Sequence, residues 1–155
     1  MNILFANIRD TKHLKLTGIH AHIGSQIFEL DPHNDLGEIM VNVILDAKKF
    51  DHNIKEINVG GGLGIKYTER DDPPSIDEWV KTISNSVVKA CKKNNLDFPI
   101  LMCEPGRSIV STAGITIYKI GSFKEIPGIR TYLSVDGGMS DNPRPITYQS
   151  NYSAC

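Results

Sequence analysis

Residues 54–64 read IKEINVGGGLG, a short run carrying Ile54, Ile57 and Val59 that is broken at once by three glycines. The run has the length and β-branched content of a strand, and the glycines end it. What lies on either side decides the fold. Before it, Leu36, Met40, Val43, Ile44, Ala47 and Phe50 recur at three- and four-residue steps, the apolar face of a helix over residues 35–50. After it, Asp71-Asp72-Pro73-Pro74 leads to Ser75 with Glu78 three residues on, a capping-box signature that starts a second helix. Ile76, Trp79, Val80, Ile83, Val87, Ala90 and Cys91 form the buried stripe expected of it.

Two further strands bracket these helices. Residues 16–23, LTGIHAHI, run into the turn signal Gly24-Ser25, and residues 98–103, FPILMC, are almost continuously hydrophobic, as expected when both sheet faces are covered. Strand, helix, strand, helix, strand predicts a parallel sheet. The strands begin at residues 16, 54 and 98, a spacing that suits a (β/α)8 barrel, whose closure takes roughly 250 residues. A chain of 155 residues is therefore expected to hold about three of the eight units. Beyond Gly114, ITIYKIGSFKEI and RTYLSVDGG are β-rich with no long helix between them. The expected class is α/β: a partial barrel over residues 1–113, followed by the beginning of an antiparallel β-domain over 114–155.

Lys and Arg number 17 against 18 Asp and Glu, for a formal net charge of -1, which excludes a polybasic nucleic-acid binder. Hydrophobic residues at 40% and charged residues at 23% fit one ordinary globular core. No apolar run is long enough to cross a bilayer, and the opening MNILFANIRD lacks the zones of a secretory signal. No membrane association and a cytoplasmic location are expected, or an organelle interior such as a plastid. Cys91, Cys103 and Cys155 are odd in number and without CxxC spacing, which favours reduced structural thiols over a disulfide framework or a zinc site. The chain opens on a short polar stretch leading into the first strand and stops at NYSAC without a closing element. It reads as a piece of something longer, with strand edges and apolar faces that would invite aggregation.

In a barrel of this kind functional groups lie at the C-terminal ends of strands. The three strands end in His20-Ala21-His22-Ile23-Gly24-Ser25-Gln26, in Gly60-Gly61-Gly62-Leu63-Gly64 and in Glu104-Pro105-Gly106-Arg107, and all three are expected on one rim. Alternate histidines share a strand face, so His20 and His22 could hold a metal, but no third ligand of matching context is evident and no metal is expected. A triple glycine admits a phosphate to backbone amides, or is simply a tight turn. GGGLG lacks the setting of a dinucleotide fingerprint, and that reading is rejected. Glu104 and Arg107 make either a local ion pair or part of a site. Taken together, an imidazole, a phosphate turn, a hydroxyl and a carboxylate are the components a phosphorylated aromatic cofactor requires.

Four blocks carry a resemblance: HAHIGSQ at 20–26, NVGGGLGIKY at 58–67, EPGRSIV at 104–110 and VDGGMSDNPRPITYQS at 135–150. In this order they resemble the diaminopimelate decarboxylases, pyridoxal-phosphate enzymes of the alanine-racemase fold group, over the whole chain from Gly18 onward. The resemblance implies pyridoxal 5'-phosphate as cofactor, with His22 stacked on the ring, Ser25 and the Gly60, Gly61, Gly62 turn on the phosphate, and Glu104 on the ring nitrogen. Pro105, Gly106 and Arg107 belong to the same cofactor block. It further implies that Arg107, Arg144 and Tyr148 grip substrate and cofactor anions, a task that suits a planar donor fork. A carboxylate beside the pyridine nitrogen keeps it protonated and makes the cofactor a strong electron sink. A racemase of this group typically carries Arg there, so Glu104 favours decarboxylation. Asp136 is expected to order the VDGG turn rather than to touch substrate.

The implied reaction is decarboxylation of meso-2,6-diaminopimelate to L-lysine in lysine biosynthesis, by a homodimer acting on a small-molecule amino acid. The family's Schiff-base lysine lies upstream of every matched block, and its Cys-Glu-Ser segment downstream, so no catalytic lysine or cysteine of that kind is expected here. Lys12 and Lys15 stand too close to the first block, and Cys155 too soon after Tyr148. The chain alone is expected to be inactive. Two alternatives stand beside this reading, a related ornithine- or arginine-type decarboxylase and a short non-catalytic regulatory paralogue.

Overall fold

The computed structural model describes residues 1–154, so Cys155 and the expectation attached to it lie outside the described residues. An N-terminal helix α1 (Asn2–Arg9) precedes β1 (Gly18–His20), α2 (Asp31–Lys48), β2 (Glu56–Asn58), α3 (Ile76–Lys93) and β3 (Ile100–Met102). The strands form one parallel sheet in the order β1-β2-β3. Their register aligns Ile19, Ile57 and Leu101, and then His20, Asn58 and Met102. Ile57 is wholly buried beneath the helices, and strand alternation sends Glu56 and Asn58 to the opposite face. This is a three-unit arc of a (β/α)8 barrel, helices on one side and the barrel interior on the other.

The core lies between the sheet and the pair α2 and α3, where Leu36, Met40, Ile44, Trp79, Ile83 and Val87 are buried together. The helices approach closely at Gly37, where a Cβ would strike the Ser86 side chain. The Ser86 hydroxyl donates to the Asn34 carbonyl. The predicted capping box is formed: Glu78 N–H donates to Ser75 Oγ, and Glu78 Oε2 accepts from Ser75 N–H at 2.9 Å. α2 begins at Asp31, four residues before the expected start at residue 35, with Pro32 in its first turn. In α3, Ile76 and Val80 are partly exposed rather than part of the buried stripe.

Two expectations change. The opening residues form α1 instead of a polar lead-in, anchored by Phe5, which packs 5.9 Å from the Phe50 ring while its carbonyl lies 2.8 Å from His52 Nε2. One apolar anchor in eight residues is too little for periodicity to reveal. β3 is not covered on both faces, since Ile100 is 62% exposed, and among the described residues its sheet partner is β2 alone. The strands are shorter than their apolar runs, although single backbone hydrogen bonds carry on beyond them as far as Glu104 N–H to the Gly60 carbonyl.

Beyond β3 come the short helix α4 (Arg107–Val110), a 3-10 turn (Ser111–Ala113), the antiparallel pair β4 (Ile120–Ile126) and β5 (Arg130–Val135), and α5 (Arg144–Thr147). Asp136 bonds to Lys119 across the hairpin rather than within the VDGG turn: its Oδ1 accepts the Lys119 N–H at 2.8 Å and its own N–H donates to the Lys119 carbonyl.

Two predictions follow from the packing. At Gly61 a Cβ would overlap the Glu104 carbonyl, so Gly61→Ala lowers stability by about 1–3 kcal/mol, measured as a lower denaturant midpoint. His33 is fully buried edge-on to Trp79, 5.7 Å away, and its ring nitrogens have no hydrogen-bond partner among the described residues. Burial pushes its pKa below the ordinary 6.5. The unfolded chain therefore takes up a proton at His33 that the folded chain refuses, and stability falls as pH drops below about 6.5. In His33→Leu that part of the pH slope disappears, a result read from unfolding midpoints at a series of pH values.

Candidate active site

The aligned register carries the C-terminal ends of β1, β2 and β3 to a common rim, and hydrogen bonds join them. The Gly61 N–H donates to His22 Nδ1 at 3.3 Å, which makes Nδ1 the acceptor and leaves the proton of the neutral ring on Nε2. Asn58 Nδ2 donates to Glu104 Oε1 at 2.7 Å, while Asn58 Oδ1 accepts the Gly60 N–H at 2.9 Å. The other carboxylate oxygen, Oε2, lies 3.4 Å from His20 Nε2. Glu104 is oriented by these neighbours yet remains 56% exposed along its side chain. His20, read from sequence as a possible metal ligand, faces Glu104 instead. Among the described residues no group of three or more His, Cys, Asp or Glu is placed to hold a metal ion.

Glu104 and Arg107 do not pair with each other. The chain turns at Pro105-Gly106, α4 begins, and the guanidinium leaves the rim in another direction. Arg107 Nη1 donates to Gln26 Oε1 at 3.2 Å and to the Tyr67 hydroxyl at 3.1 Å. Arg144 Nη1 reaches the same hydroxyl at 3.2 Å. Arg144 is therefore half-buried against Tyr67. A pocket of about 630 Å³ adjoins the rim, lined by Ser25, Gln26, Tyr67, Arg107, Arg144 and Tyr148 among others. Gln26 is itself fixed, with Nε2 donating to the Ile65 carbonyl at 2.6 Å and Oε1 accepting the Ile65 N–H at 3.3 Å.

Asp71 braces the loop that carries Tyr67. Its carboxylate accepts the Tyr67 and Thr68 N–H groups at 3.0 and 2.7 Å, and the Thr68 N–H above all holds its pKa below the ordinary carboxylate value. The residues predicted from sequence thus fall into two groups. His22, Gly60, Gly61, Gly62 and Glu104 meet at the rim, and Ser25, Arg107, Arg144 and Tyr148 line the pocket. To these the fold adds Asn58, Gln26 and Tyr67, which lie inside the blocks that carry the resemblance but gain a role only once Asn58 comes into register with His20 and Arg107 reaches Gln26 and Tyr67.

Residues 4–111 match the family described as pyridoxal-dependent decarboxylase, pyridoxal binding domain. Diaminopimelate decarboxylase of Synechocystis is 54% identical over 98% of this chain and 32% of its own length. The Bacillus subtilis enzyme of that name is 41% identical over 95% and 34%. Among solved structures, diaminopimelate decarboxylase from M. jannaschii superposes with a TM-score of 0.80 at 32% identity, covering 91% of this chain and 32% of that one. The Helicobacter pylori enzyme complexed with L-lysine gives 0.82 at 25% identity, over 98% and 36%. The chain spans about a third of the length of these relatives. By the family match over most of its length, the chain belongs to the pyridoxal-dependent decarboxylases and carries residues of their pyridoxal-binding domain.

Proposed function

We propose that the protein carrying this chain decarboxylates meso-2,6-diaminopimelate, releasing carbon dioxide and L-lysine, with pyridoxal 5'-phosphate as cofactor. One observation carries the choice of substrate. Arg107 and Arg144 converge on one phenol oxygen in one pocket, and neither is in an ion pair with a carboxylate among the described residues. Two guanidiniums kept free of protein anions call for an anion from the ligand. Diaminopimelate has a second carboxylate beyond the reacting carbon, and ornithine and arginine have none.

The residues present suit the cofactor. The pinned imidazole of His22 offers a flat face to an aromatic ring. Ser25 offers a hydroxyl to its phosphate, and the glycine turn lets that phosphate come close to the backbone. Two of the turn's amides are already engaged by Asn58 and His22, so Ser25 carries more of the phosphate binding than the glycine amides do. Pyridoxal phosphate, when bound, supplies the electron sink for the pair left as the carbon–carboxylate bond breaks. Glu104, steered by Asn58 and His20, holds a proton on the ring nitrogen. Pro105 and Gly106 turn the chain so that Glu104 serves the cofactor while Arg107, with Arg144 and Tyr148, serves the substrate.

Residues 1–113 then belong to the cofactor-binding barrel and 114–155 to the beginning of a β-domain. A homodimer in the cytoplasm, or in a plastid for a plant-like source, completes the reading. No helix among the described residues is long and apolar enough to cross a membrane.

The deciding assay follows carbon dioxide release by the full-length protein from diaminopimelate, ornithine and arginine. Release from diaminopimelate is expected, and release from ornithine alone would sink the reading. Glu104→Gln should retain the cofactor, seen by its absorbance, and lose about two orders of magnitude in turnover, the scale for removing one preorganised electrostatic partner.

A further inference from the structure

Tyr67 is held from several sides. Its backbone N–H donates to Asp71 Oδ2 at 3.0 Å, its backbone carbonyl accepts from Ser153 Oγ at 3.1 Å, and its ring lies 5.0 Å from that of Tyr152. Its phenol oxygen accepts from Arg107 at 3.1 Å and from Arg144 at 3.2 Å. A phenol also has one hydrogen to donate, and a guanidinium has only donors, so neither arginine can take it. Among the described residues nothing else accepts it, and Tyr67 lines the pocket.

We infer that Tyr67 is a ligand-contacting residue, whose O–H donates to a substrate carboxylate oxygen bound between Arg107 and Arg144. The inference rests on the carboxylate-pocket reading above and deepens it by adding a third prong. The chemistry is complementary. Two cations supply the attraction, and the neutral hydroxyl between them fixes their spacing while adding a directed hydrogen bond that a cationic or neutral ligand group cannot accept as well. Because Tyr67 stands on the loop after β2 and Arg144 on α5, their hydrogen bond already ties the glycine-turn loop to that helix, and a bound carboxylate would add a second bridge between them.

The test uses the full-length protein and two probes. Pimelate has two carboxylates and no amine, and 1,5-diaminopentane has two amines and no carboxylate. Calorimetric titration of Tyr67→Phe should show pimelate binding weakened roughly tenfold or more, the loss of a hydrogen bond to a charged group, with diaminopentane affinity unchanged. KM for diaminopimelate should rise by a similar factor, with a smaller change in kcat. If Tyr67→Phe binds pimelate as the unaltered protein does while Arg144→Gln does not, the inference falls and the carboxylate pocket stands. Equal weakening of both probes means a disordered pocket and also overturns it. If pimelate fails to bind the unaltered protein, or ignores both substitutions, the carboxylate-pocket reading itself fails and takes the inference with it.

Discussion

Three parallel strand ends come within hydrogen-bonding reach of one another only because the turn after β2 has no side chains. At Gly60, with φ +68°, a Cβ would sit 2.8 Å from the Ala21 carbonyl oxygen, and at Gly61 it would overlap the Glu104 carbonyl. That void lets the Glu104 N–H reach the Gly60 carbonyl at 2.7 Å, which fixes where the backbone places the Glu104 carboxylate. The same closeness brings the Gly61 N–H onto His22. The glycines therefore act first on geometry, drawing three loops into one rim, and only through that rim on any ligand.

What supports the rim is lopsided. Behind it, α2 and α3 close over Ile57 and Val59 with Trp79, Ile83, Met40 and Leu36 nearly inaccessible to solvent. Beyond β3 the apolar side chains stay in water: Phe123 is 73% exposed and Leu133 60%. By the area rule that burial of a large apolar side chain is worth about 1.5–3 kcal/mol, these positions contribute little in the chain as it stands. The rim is thus anchored by the β1–α2–β2–α3 half of the molecule. Arg144 and Tyr148 reach the pocket from the weakly packed half, which is tied to Tyr67 by the Arg144 guanidinium and the Ser153 hydroxyl.

The sequence was legible where a local rule and a tertiary demand coincide. Ser75 and Glu78 announce α3 because a capping box needs nothing from the rest of the fold. His22, the glycines and Glu104 stand at strand ends, where barrel topology forces convergence. α1 escaped because its stability comes from Phe5 meeting Phe50 and His52 across a long stretch of chain, a contact invisible in residues 1–10. β3 misled because a continuous apolar run signals cover on two faces without saying what supplies it. Tyr67 and Gln26 were unreadable for a different reason. Neither residue type at that position has a chemistry until Arg107 and Arg144, distant in sequence, arrive beside it.

The two ends of the site carry opposite charge, and each is oriented by neighbours that leave that charge uncancelled. Glu104 is flanked by an amide and an imidazole rather than by a guanidinium, although Arg107 follows only three residues later. An ion pair there would lower the carboxylate's basicity and spend its electrostatics on the protein. Turning the chain at Pro105-Gly106 keeps the two apart, so Glu104 can hold a proton on a ligand nitrogen and Arg107 can meet a ligand carboxylate. The arginines, in turn, are held by the oxygens of Tyr67 and Gln26, neutral acceptors that orient a guanidinium without cancelling its charge. A ligand with a protonated ring at one end and a carboxylate at the other satisfies both ends at once. Without an anion between them, the two cations face each other across one phenol oxygen, a repulsion that a ligand carboxylate would relieve.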